Sequence, residues 1–280
     1  MDARQFLGLE PTDDPLRWRL PVTPAVSTPG RFLYGGCGLA AGIVALEAAA
    51  GRPTVWATAQ YLTYAPTGSV LDVEVVLAAV GKATTQARAI GRLGDREVLT
   101  VNTALGRHDR AAAGTWVEPP RVAAAADCPP QEFPVHFADT VMARVEHRVA
   151  KGRLFSELDG RPGDAGSAFW ARVPGHLEPS AATLAVIGDY VSGGVSQPLG
   201  VRTMGRSLDN TLRVVRLVPT TWILCDIHMH ALANGFGHGL AHLFAEDGTL
   251  LATASQSISV RIWDEQNTPG PAATVADHGG

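Results

Sequence analysis

Three polar side chains stand in surroundings of small and apolar residues. Asp189 ends the run TLAVIGD, Ser207 opens SLDNTLRVV, and Gln256 lies within ATASQSISV. An unpaired buried carboxylate costs several kcal/mol or takes up a proton. Asp189 is therefore either a helix-end acid that faces water or caps the following SGG turn, or a proton-transfer group. A buried Gln256 amide needs partners, and the Ser207 hydroxyl can serve either group. Asp209 alternates back to the face of Ser207, where it either supports the site or caps the strand. The Gly35–Gly36 pair in LYGGCG either permits close helix–sheet packing or leaves free N–H donors at a helix start. Cys37, beside it, reads as a nucleophile helped by the helix start or as a small buried residue. His228 and His230 share one strand face, and His238 and His242 share another. No Cys or carboxylate cluster completes that set, so no metal site is expected. GxSxG and GxGxxG are both absent, which disfavours an α/β-hydrolase esterase and a dinucleotide enzyme.

The elements that must position these groups occur twice in the same order. In the first half a strand, LRWRLPV, is followed by a helix of small residues, LAAGIVALEAAAG. Strands VWATAQYLTYA, SVLDVEVVLAAV, TTQARAIGRL and EVLTVNTALG come next. Leu71, Val73 and Val75 alternate with Asp72 and Glu74, the period of a half-buried strand. In the second half VMARVEHRVA and SAFWARV are read as strands, and PSAATLAVIGDYVSGG as a helix capped by Ser180. Strands around SLDNTLRVV, TWILCDIHMH, GHGLAHLFA and LLATASQSISVRIW complete it. Aligning GDREVLTVNTALG with EDGTLLATASQSI sets Asp95 against Asp247 and Gln256 against Ala104. The expected division is residues 1–109, a linker over 110–135, a second unit over 136–264 and a disordered tail over 265–280. A small-residue helix followed by long antiparallel strands predicts an α+β fold in which a curved sheet wraps the helix, twice: a double hotdog.

The 280 residues are 46% hydrophobic and 18% charged, enough for a substantial core. Net charge is −4 with basic residues scattered singly, which argues against a nucleic-acid partner. Three widely spaced cysteines suit a reducing cytoplasm rather than a disulfide framework. Neither a signal peptide nor a membrane-spanning stretch is expected.

Over roughly residues 15–264 the chain resembles the acyl-CoA thioesterase II family, the TesB-like double hotdog enzymes. LYGGCGLAAGIVAL looks like the family's Phe-Gly-Gly-Gln helix start, and QYLTYAPTG like its Tyr-Phe-Leu-Arg-Pro-Gly strand end. LAVIGDY resembles the helix bearing the family's catalytic Asp, RSLDNTLRVVR its Thr-Ile-Asp-His strand, and EDGTLLATASQS the strand that ends in its Gln. Cys37, Asn210 and Tyr64 depart from the pattern, standing where the family has Gln, His and a nearby Arg. The resemblance implies a catalytic set of Asp189, Ser207 and Gln256 that holds a water against the thioester carbonyl of an acyl-CoA. It implies backbone N–H donors at Gly35 and Gly36 for the oxyanion. It further implies an acyl tunnel lined by TLAVIG, no cofactor, and a homodimer of double hotdogs. A double hotdog that binds acyl-CoA or lipid without catalysis is the alternative.

Overall fold

The long helix of the first half, α2 (Gly35–Ala50), buries Gly36–Ile43, Ala45 and Leu46, and its apolar residues run nearly all round. Such a helix must be enclosed, and four strands that follow it do so: β3 (Thr54–Tyr61), β4 (Val70–Val80), β5 (Thr84–Leu93) and β6 (Arg96–Gly106). A Cβ on Gly42 would lie 2.8 Å from Val101 Cγ2 of β6, so the small residues are what lets the sheet close on the helix. Ahead of them come α1 (Ala3–Leu7), β1 (Glu10–Pro11) and β2 (Arg17–Pro21).

The second half has β7 (Glu146–Lys151), β8 (Gly166–Arg172), α4 (Ala181–Gly188), α5 (Ser196–Leu199), β9 (Thr203–Ser207), β10 (Asp209–Val214), β11 (Ile223–Ala233), β12 (Phe236–Ala245) and β13 (Leu250–Ile262). This computed structural model describes residues 1–108, 112–175 and 178–262; the expected tail over 265–280 lies outside them. Ser180 Oγ accepts from Thr183 N at 3.1 Å and caps α4 as expected. The helix then tightens at Asp189 into a 3-10 stretch, Asp189–Val195.

All strands join one antiparallel sheet in the order β1-β2-β4-β5-β6-β3-β10-β13-β12-β11-β8-β7, with β9 also on β13. The order mirrors itself about the β3–β10 seam, where Thr58 pairs Thr211 and their hydroxyls lie 3.0 Å apart. That register identifies the repeat. Thr58 pairs Asn102 on β6 while Thr211 pairs Ser255 on β13, so Gln256 corresponds to Thr103 and not to Ala104. The hairpins ahead of the two strands differ in length, since Leu93 pairs Arg96 across two residues while Phe244 pairs Leu250 across five, and this offsets the count. Thr103 spends its hydroxyl on Trp56 O at 2.6 Å.

Two expected strands divide differently. SLDNTLRVV breaks at Leu208 into β9 and β10, each pairing β13. VMARVEHRVA opens with a helical turn, α3 (Val141–Arg144), and only then enters β7. The turn is fixed by long-range contacts that local sequence does not encode: Arg144 Nη1 donates to Phe6 O at 2.8 Å and to Ala25 O at 3.1 Å. In the segment expected as a linker, Ala125 and Cys128 pack with Ala168, Trp170, Trp222 and Phe244 on the outer face of the second half, and Trp170 Nε1 donates to Ala123 O at 2.9 Å. No helix among the described residues is long and apolar enough to cross a membrane.

Candidate active site

Asp189 ends α4, where the helix dipole is unfavourable to a negative charge, and only 3% of it is exposed. The compensation comes from the other half. The N-terminal end of α2 points at the carboxylate, and Gly36 N–H donates to Oδ2 at 2.7 Å. Asn210 Nδ2 donates to Oδ1 at 3.0 Å, and Gln256 Nε2 donates to the same oxygen. Burial pushes the Asp189 pKa up to about 7, while the Gly36, Asn210 and Gln256 donors work in the opposite sense.

Gln256 links the set. Its Nε2 also donates to Ser207 Oγ at 3.1 Å, and its Oε1 accepts from Ser192 N at 3.0 Å. Both amide protons are thus committed, one to Asp189 and one to Ser207. The Ser207 oxygen keeps a lone pair and its own proton for a further partner. Asp189, Ser207 and Gln256, far apart in sequence, form one connected polar cluster.

Gly35 and Gly36 both lie at the carboxylate. A Cβ on Gly35 would sit 2.9 Å from Asp189 Oδ2 and from Tyr61 Cζ, so no side chain fits there. Gly36 differs from the expected oxyanion donor, because its N–H is taken by Asp189. The Gly35 N–H meets no acceptor among the described residues. Beside it the Tyr61 hydroxyl is buried next to the Asn210 side chain. Burial, and after it the Asp189 charge, holds that phenol well above its ordinary pKa, so it stays a neutral donor. Asp209 does not reach Asp189. Its Oδ1 accepts from Ser257 N at 2.8 Å, which makes it a cap on the β9–β10 junction.

Asn210 was legible as a site residue only through its neighbours. It is fully buried in a run with Thr211 and Leu212, one step from the half-buried Asp209, yet its residue type alone suggests a turn. Tyr61 was marked only as the first aromatic of QYLTYAPTG, the stretch that resembles the family's strand end. Cys37 is fully buried with its thiol pushed far above the ordinary range, so it is held as a protonated core residue. Residues 183–188, expected along a tunnel, are buried in the apolar core beside residues of α2 and β13.

A family model described as the acyl-CoA thioesterase C-terminal domain matches residues 119–260. Comparison with curated protein sequences gives no match. Among solved structures, a candidate thioesterase from Novosphingobium aromaticivorans superposes with a TM-score of 0.80 at 29% identity, covering 90% of this chain and 97% of its own. A conserved protein with a hot dog fold from Alicyclobacillus acidocaldarius gives 0.79 at 18% identity, covering 94% and 98%. The acyl-CoA thioesterase II TesB2 from Mycobacterium marinum gives 0.69 at 15% identity, covering 93% and 98%. Matched over half of its length by that domain and folded throughout as two tandem hotdogs, the chain belongs to the acyl-CoA thioesterase family, in its TesB-like double hotdog form.

Proposed function

We propose that the protein hydrolyses acyl-CoA to free acid and CoA, with Asp189 as general base. The observation that carries this reading is a buried carboxylate whose pKa stands at about 7, hydrogen-bonded through Gln256 to the Ser207 hydroxyl. A base poised near neutrality accepts a proton from water and can return it to a leaving group. The attacking water donates one proton to Asp189 and the other to Ser207 Oγ, leaving its lone pair toward the thioester carbonyl. Its oxygen bonds to the acyl carbon, the C–S bond then breaks, and the proton held by Asp189 passes to the departing sulfur. Gln256 acts by fixing Asp189 and Ser207, since its amide protons are spent on them. Gly35 N–H and the Tyr61 hydroxyl supply the donors for the oxyanion, the role in which Gly36 is replaced.

Thiol release from a panel of acyl-CoAs of differing chain length tests the proposal. Turnover with at least one chain length, lost in Asp189→Asn, is the expected result. Acyl-CoA binding with no thiol released from any member would instead establish the non-catalytic binding protein.

A further inference from the structure

A second cluster lies on the opposite face of the second-half sheet. The β11–β12 register sets Asp226 directly opposite His242, and the two-residue strand period brings His228 onto the same face as Asp226. Their neighbours Cys225, Ile227 and Ala241 point the other way, into the core around α4. One ligating atom from each of Asp226, His228 and His242 lies within 4.8 Å of the other two. His228 Nε2 and Asp226 Oδ2 are 2.8 Å apart. Two ligand atoms bound to a tetrahedral ion at 2.0–2.1 Å stand about 3.3 Å apart, so small side-chain rotations suffice to admit one.

The chemistry of the donors is equally suited. The Asp226 side chain is 7% exposed and that of His228 44%, which combines a sheltered carboxylate with an open side for solvent. A Cβ on Gly166 would be 3.9 Å from His228 Nδ1 and 3.2 Å from Lys151 Nζ, so Nδ1 faces that edge and Nε2 faces the cluster.

We propose that Asp226, His228 and His242 form a binding site for one divalent transition-metal ion of the zinc type, with the remaining position left to water. Two imidazoles and one carboxylate on adjacent strands suit borderline ions over calcium or magnesium. The histidines alone did not reveal the site, because its carboxylate becomes a neighbour of His242 only through strand register. The site shares no residue with Asp189 and stands whether or not the protein is a hydrolase.

The full-length protein, without a histidine tag and freed of metal by a chelator, is titrated with zinc chloride in a calorimeter. The expected result is one ion per chain with a dissociation constant in the micromolar range or below. Cobalt(II) in its place should give the visible absorption of a four-coordinate site. Asp226→Asn, His228→Ala and His242→Ala should each weaken zinc binding at least tenfold, while His238→Ala, outside the cluster, leaves it unchanged. His228 is half exposed, so its variant keeps the fold and decides the matter even if Asp226→Asn does not fold. Absence of saturable binding, or binding untouched by His228→Ala and His242→Ala, would overturn the site.

Discussion

At the scale of single residues the site is a contest between burial and donors. Desolvation raises the Asp189 pKa, and three N–H groups aimed at the carboxylate hold it near 7. With Asp189 as the proposed general base only its ionised form is active, so kcat/KM should rise with pH through about 7 and level off above it. Asp189→Asn should lower kcat by about 10²–10⁴-fold, the span of general-base catalysis, with acyl-CoA binding retained in a direct titration. Asn210 offers a sharper test, because it touches the base without contacting Ser207. In Asn210→Asp a second carboxylate replaces a donor beside Asp189, and like charges at that distance oppose ionisation. The rising limb of the pH–rate profile should move alkaline by about one unit or more. An unmoved limb would remove Asp189 from the role of base. Ser207→Ala should cost less than Gln256→Ala when both are assayed for thiol release, since Gln256 holds two partners in place and Ser207 receives only one of its bonds.

At the scale of elements the geometry of the candidate site depends on how closely α2 approaches both the sheet and α4. Gly42→Ala gains about 1 kcal/mol of helix propensity. Its new Cβ would lie 2.8 Å from Val101, a contact that helix and sheet must open to relieve. Overpacking of this kind costs about 1–3 kcal/mol, so a net loss of stability is expected in urea denaturation; an unchanged or higher midpoint would mean that the helix floats above the sheet. The helices were legible in sequence because small residues, a Ser cap and a Gly stop are local signals, and Gly51 ends α2 in the left-handed conformation expected. The strand alternation was legible for the same reason. The α3 turn was not, since Arg144 is bound to carbonyls of residues 6 and 25, more than a hundred positions away. Nor was the correspondence of Gln256 with Thr103, because matching Asp95 to Asp247 does not show that one hairpin loop takes up two residues and the other five. The cluster at Asp189 became legible only through resemblance to a known fold: nothing in the residues themselves brings positions 36, 189, 210 and 256 together.

At the scale of the whole molecule two buried titrating groups pull stability in opposite directions over one pH window. The folded protein keeps Asp189 protonated up to about 7, whereas the unfolded chain releases that proton near the ordinary 3.8. Asp189 therefore favours the folded state at low pH, and its contribution is lost as pH rises from about 4 through about 7. His147 has the reverse sign. It is enclosed by Phe133, Phe169 and Tyr190, and burial, opposed by the Val145 backbone, lowers its pKa to about 4 from 6.5. The unfolded chain takes up a proton there before the folded one does, so the His147 contribution is lost as pH falls from about 6.5 to about 4. In the intact protein the two slopes offset each other across that window. His147→Phe, which fits an aromatic cage and removes one slope, should leave stability falling steadily between pH 4 and 7. Asp189→Asn should leave it rising over the same range. Urea midpoints measured at half-unit steps of pH report both, with the intact protein nearly level between them. Parallel profiles for all three would mean that neither group is buried in its stated charge state, and the acid near neutrality on which the hydrolytic reading rests would be lost with them.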